Sequence, residues 1–210
     1  MHKHLEELIN RYPKLAEIKE QIEAAYHFMS KAYDQGKKLL IAGNGGSSAD
    51  SDHMVGELMK GFVLPRAVKE DFTQKLLAVD EEMGKELSKK LQGALPAISL
   101  SNHFALTTAY LNDIDGLSVF AQQVYGYGQA EDVFLGISTS GNSRNVLLAA
   151  VTAKAKGLKV IALSGKDGGK LANLADVSVI APEEETYKIQ ELHLPIYHTW
   201  CLMLESQYFS

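Results

Sequence analysis

Cysteine is nearly absent. Cys201 stands alone, so no intrachain disulfide can brace the fold, and its neighbours Trp200 and Leu202 place it in an apolar helix rather than at a reactive thiol. Positive charge is also scarce. With 21 Lys and Arg against 26 Asp and Glu, the formal net charge of -5 gives no global field to attract nucleic acid or an anionic membrane surface, so any phosphate must be held locally. No stretch reaches the ~18 apolar residues of a membrane helix. Met1 to Ile9 mixes His and Glu with apolar residues and has no signal-peptide-type run. These absences predict a reduced, cytoplasmic protein that is neither exported nor membrane-spanning and that binds no nucleic acid.

What is present fits a single α/β domain over residues 1–210, since 46% hydrophobic and 22% charged residues are ordinary for a globular chain of this length. From Leu5 to Tyr33 apolar residues recur at helical spacing (Leu5, Leu8, Ile9, then Leu15, Ile18, Ile22, Ala25, Met29). Pro13 divides a short helix from a longer one, and Gly36 ends this N-terminal extension over 1–36. The stripe reads as a packing face, against the sheet or another subunit. A pattern of apolar strand, Gly- and Ser-rich loop and helix then occurs three times, at Lys38 to Ser48, Val133 to Ser143 and Lys159 to Gly169. Further strands are expected at Ala97 to Leu100 and Val177 to Ile180, and a last helix from about Glu184 to Tyr208. Alternating strands and helices predict a doubly wound open sheet of about five parallel strands, a flavodoxin-like three-layer α/β/α architecture with its ligand at the strand C-terminal ends. Residues 66–93 interrupt the alternation with one or two amphipathic helices, an insertion that could act as a lid.

The loops Gly43 to Ser48 (GNGGSS) and Ser138 to Ser143 (STSGNS) each follow a strand and open a helix, so backbone N–H groups and the helix dipole favour an anion there. The hydroxyls of Ser47, Ser138, Thr139, Ser140 and Ser143 can donate to phosphate oxygens. One such loop could be a tight turn with Ser or Asn as an N-cap. Two, without a Walker lysine or dinucleotide spacing, point to a monophosphate and away from a nucleotide cofactor.

His53 and Glu57, at i and i+4, share a helix face just beyond the first loop. A carboxylate there suits proton removal next to a carbonyl, although an exposed His–Glu pair has the same spacing. On the final helix Gln190 and His198 are ~80° apart around the axis and about 12 Å along it, with Pro195 between them as a possible kink. Two imidazoles, a carboxylate and an amide oxygen include ligands that suit zinc, but spacing alone does not select metal binding. His193, His103 and the N-terminal histidines read as ordinary polar residues.

Four ordered segments, GNGGSSADSDHMVGEL (43–58), GISTSGNS (136–143), ALSGKDGGKLANLADV (162–177) and IQELHLPIYH (189–198), resemble the sugar isomerase (SIS) family, and within it the phosphoheptose isomerases. The resemblance implies an aldose–ketose isomerase converting sedoheptulose 7-phosphate to D-glycero-D-manno-heptose 7-phosphate through an enediol. It implies Glu57 as catalytic base and His198 as second acid–base residue. Asn44, Gly45, Gly46, Ser47, Ser138, Thr139, Ser140, Ser143 and Gln190 would bind substrate. Zinc would sit on His53, Glu57, Gln190 and His198, in a homotetramer whose sites share residues between subunits. Ser101, Asn102, His103 and Tyr187 depart from the family pattern, which leaves another ketose phosphate as an alternative. A second alternative is a non-catalytic relative of the type that associates with a replication initiator, but such relatives lack the Glu and final-helix His that stand here at 57 and 198.

Overall fold

In a computed structural model, residues 3–210 are described; Met1 and His2, at the start of the segment read above, lie outside them. The helix α1 (Lys3–Arg11) gives way at Pro13 to a 3₁₀ segment (Pro13–Ile18) and then to α2 (Lys19–Asp34). The division expected at this proline is therefore present. Gly36 follows with φ +66°, a left-handed conformation that glycine adopts without the Cβ penalty. The chain then enters β1 (Leu39–Ala42) and α3 (Gly46–Met59).

Residues 66–93 form two helices, α4 (Glu70–Val79) and α5 (Glu81–Lys90), which pack on each other. Asp80 caps α5 by accepting from the Met83 amide at 2.8 Å. After β2 (Ala97–Ser99) come α6 (Phe104–Asp113) and α7 (Val119–Tyr127), two helices that the sequence reading did not anticipate. The remaining chain alternates regularly through β3 (Val133–Ser138), α8 (Arg144–Ala155), β4 (Lys159–Gly165), α9 (Gly169–Leu174), β5 (Val177–Ala181) and α10 (Thr186–Phe209). The last helix runs unbroken through Pro195. No helix of the described residues is long and apolar enough to cross a membrane.

The five strands form one parallel sheet in the order β2-β1-β3-β4-β5, with Leu39 paired to both Ala97 and Val133. Successive side chains of a strand face opposite sides, and the core divides accordingly. Leu39, Ile41, Leu135, Ile161 and Leu163 pack with buried residues of α1, α2, α3 and α10. Leu40, Ala42, Phe134, Val160 and Ala162 pack with α7, α8 and α9. Three layers result, as expected from the strand–helix alternation. The strand order reverses between β1 and β3, and the crevice outside their C-terminal ends is where this architecture holds ligands.

Candidate active site

The two glycine–serine loops lie side by side at that crevice, one after β1 and one after β3. A reciprocal pair of amide hydrogen bonds ties them, from Asn44 Nδ2 to Asn145 Oδ1 at 2.9 Å and from Asn145 Nδ2 to Asn44 Oδ1 at 2.8 Å. In the second loop the Ser138 and Ser143 hydroxyls are 3.0 Å apart, and Ser140 Oγ accepts from the Asn142 amide at 3.2 Å. Gly141 has φ +62° and sits so close to the loop after β4 that an added Cβ would lie 1.8 Å from the Gly168 carbonyl oxygen. Neither α3, entered from Gly45, nor α8, entered from Ser143, has a side-chain N-cap bond. Uncapped first turns with neighbouring hydroxyls form a cradle for an anion. Beside it a hollow of about 250 Å³ is lined by Asn44, Gly45, Ser48, Ser101, Thr107 and Asn145.

The reactive side chains lie along the contact between α3 and α10. His53 Nε2 is 3.3 Å from Glu57 Oε1 and 3.4 Å from His198 Nε2. The two imidazoles meet edge to face at 4.8 Å between centroids. Glu57 is 12% exposed, and its second oxygen is held by Lys60 Nζ at 3.0 Å. Burial, together with His53 beside it, lowers the pKa of His198 against the opposing pull of Glu57. On the other side of His53, Nδ1 is 3.0 Å from the Tyr197 hydroxyl, which donates to Asp50 Oδ1 at 3.3 Å. Tyr197 and Asp50 carry no signal in the sequence beyond their places on the two helices.

Gln190 is placed differently. Its amide stands against Gly46, where an added Cβ would lie 2.6 Å from Nε2, and it forms no hydrogen bond with His53, Glu57 or His198. Among the described residues no group of three His, Cys, Asp or Glu side chains is arranged to hold a metal ion. His53, Glu57 and His198 are side chains of types that ligate zinc, but they do not form a metal-holding group and Gln190 stands apart from them against Gly46.

Two residues set aside as ordinary have defined places. His193 is fully buried, with Nε2 3.0 Å from the Ser164 carbonyl. His103 Nε2 is 3.1 Å from the Tyr127 hydroxyl. A hollow of about 280 Å³ opens on His198 and is lined also by His4, Glu7 and Arg11 of α1. A larger one of about 720 Å³, between Arg66, Phe72, Leu95 and Phe209, lies away from this cluster.

The family model described as the SIS domain matches residues 87–165. The chain is 39% identical over 193 residues to the phosphoheptose isomerase of Citrifermentans bemidjiense, covering 92% of this chain and 87% of that one. It is 34% identical to the phosphoheptose isomerase of Sulfurimonas denitrificans, covering 100% and 98%. The solved structure of phosphoheptose isomerase GmhA from Neisseria gonorrhoeae matches with a TM-score of 0.75 at 32% identity, covering 97% of this chain and 95% of that one. With the two loops at the sheet's switch point and a carboxylate beside two imidazoles, the chain belongs to the phosphoheptose isomerase family.

Proposed function

We propose that this protein is an aldose–ketose isomerase that converts sedoheptulose 7-phosphate to D-glycero-D-manno-heptose 7-phosphate. The observation that carries the reading is the meeting of Glu57 and His53 of α3 with His198 of the adjacent α10, where α3 itself opens from a loop of the anion cradle. The phosphate is held by the first turns of α3 and α8 and by the hydroxyls of Ser47, Ser138, Thr139, Ser140 and Ser143. Asn44, Gly45, Gly46 and Gln190 border the sugar. Glu57 removes the C1 proton of the open-chain ketose and delivers it to C2, while His198 moves the proton between the two oxygens. Closing the carbonyl shift through an enediol needs both groups, since the carbon and oxygen protons change places.

His53, Glu57 and His198, with Gln190 once its amide turns away from Gly46, would hold zinc, which when bound would supply charge to polarise the carbonyl and hydroxyl oxygens. The protein works in the cytoplasm as a homotetramer. Support for assembly comes from the apolar side chains a single chain leaves exposed, Val79 at 89%, Phe104 at 80% and Ile114 at 68%.

Purified protein given sedoheptulose 7-phosphate should yield an aldose. Glu57→Gln should lower kcat on the order of a thousandfold, with substrate still bound. An unimpaired mutant would remove Glu57 from the chemistry. Five-, six- and seven-carbon ketose phosphates assayed together test the substrate. Turnover of a shorter ketose alone would overturn the heptose assignment, and elemental analysis without zinc would overturn the metal.

A further inference from the structure

The two loops of the anion cradle are each fastened on their own outer side. The loop after β3 leans on the loop after β4, where the Leu171 amide donates to the Gly141 carbonyl at 2.9 Å and the Lys170 amide to Asn142 Oδ1 at 3.2 Å. The loop after β1 is held from the opposite flank, where the Ser101 hydroxyl donates to the Gly43 carbonyl at 3.3 Å. The ladder between β1 and β3 ends at the partners Ala42 and Gly136. Beyond that point, among the described residues, the two hydrogen bonds between Asn44 and Asn145 are the only ones that join residues 43–48 to residues 138–145.

A third donor fixes the sense of this pair. Asn145 Oδ1 also accepts from the Val146 amide at 3.0 Å, which an NH₂ group in its place could not do. Asn145 must therefore turn its oxygen toward the Asn44 nitrogen, and Asn44 answers with its own amide reversed. Two parallel N–H···O bonds set distance and orientation together, as one bond does not. An aspartate at either position would lose one of the two bonds and bring negative charge to a place that favours an anion. Each amide nitrogen spends only one of its two N–H groups on the pair, and both residues line the hollow beside the cradle.

We infer that Asn145 is a positioning residue: through Asn44 it clasps the two loops together, so that the first turns of α3 and α8 converge on one phosphate before any ligand arrives. Without the clasp the dianion itself must draw the loops into register, and part of its binding free energy is lost to that ordering. Asn145 acts through Asn44 and not by touching the phosphate. The inference rests on the phosphate reading of the two loops, but not on the identity of the sugar or on the proton transfers at Glu57.

The probe is inorganic phosphate alone, measured with the full chain by equilibrium dialysis of radiolabelled phosphate. The variants are Asn145→Ala, Asn44→Ala and the two combined. Asn145→Ala should weaken phosphate binding about 10-fold. In the Asn44→Ala background the same change should have no further effect, because its partner is already gone. In turnover of sedoheptulose 7-phosphate, Asn145→Ala should raise KM about as much as it raises the phosphate dissociation constant and lower kcat by about 2-fold at most, since a grip on phosphate is shared by ground state and transition state. Circular dichroism reports whether each variant folds. If Asn145→Ala does not, Asn145→Ser takes its place, with a hydroxyl that can still accept from the Val146 amide but is too short to reach Asn44. Unchanged phosphate binding in the position 145 variant, an equal loss with and without Asn44, or a wild type that binds no phosphate overturns the clasp. An active enzyme whose Asn145→Ala form keeps its KM removes the clasp and leaves the isomerase reading standing. A wild type that binds phosphate with the expected dependence on both asparagines, yet leaves sedoheptulose 7-phosphate unconverted, sustains the clasp and overturns the isomerase reading.

Discussion

His193 has no exposed surface, and its Nε2 lies 3.0 Å from the Ser164 carbonyl oxygen. A carbonyl needs a donor, so Nε2 carries the proton, and the buried Nδ1 has no partner. Burial outweighs the carbonyl's favourable effect and pushes the pKa from the ordinary 6.5 to about 4. The unfolded chain therefore binds a proton in the interval where the folded one does not. Stability from this residue is complete above pH 6.5 and is lost as pH falls toward about 4. The loss is on the order of 3 kcal/mol. His193→Gln keeps a donor for Ser164 but cannot titrate, so urea unfolding across this range should give a flatter stability profile than the wild type. Parallel profiles would show that His193 does not contribute to acid sensitivity. The sequence places this histidine among ordinary polar residues because nothing in its neighbours announces that its face of α10 turns into the sheet.

At the scale of elements, the end of α3 is fixed by residues far away in the chain. Glu205 of α10 accepts hydrogen bonds from the amides of Phe62, Val63 and Leu64 at 2.7, 2.9 and 3.2 Å and from Arg66 Nε at 2.8 Å. Arg66 in turn donates to the carbonyls of Leu58 and Glu57 at 2.8 and 3.0 Å, satisfying acceptors that a helix C-terminus leaves open. Burial works to raise the Glu205 pKa, but the amides and the guanidinium outweigh it and hold the carboxyl below its ordinary value. Glu205→Gln leaves the buried Arg66 without a counter-charge and should destabilise the fold by about 3 kcal/mol in chemical denaturation. It should also loosen Glu57 and so lower kcat. A stable mutant of full activity would show that this clamp is dispensable. The repeated glycine–serine loops and the i, i+4 spacing of His53 and Glu57 are local patterns, and for that reason they are legible in the sequence. The Arg66–Glu205 pair spans 139 residues and the Asp50–Tyr197 bond 147, so each partner is set by how α10 packs on α3. The α6 helix buries none of its residues, so no apolar stripe marks it.

Across the whole molecule, the strand–helix alternation specifies the layers and the ligand crevice, but not the use of the hairpin α4–α5. Its two helices pack chiefly on each other, and the hairpin is anchored at its base by the antiparallel bridge between Ala67 and Gln92 and by the Gly93 amide donating to the Arg66 carbonyl oxygen at 2.7 Å. Val79 and Met83 near its turn are 89% and 59% exposed. An element with so few ties to the core contributes little to the core's stability, and apolar surface of this kind is normally covered by another chain. Replacing residues 69–90 by a short Gly-Ser linker should therefore leave the sheet domain folded, with its thermal midpoint lowered by no more than about 5 °C, roughly the shift that 1–2 kcal/mol produces in a domain of this size. Light scattering should at the same time show the full chain as four copies and the shortened one as a smaller assembly. Retention of the tetramer would place the contacts on α6 or α1 instead, whereas loss of the cooperative transition would show the hairpin to be part of the folding unit.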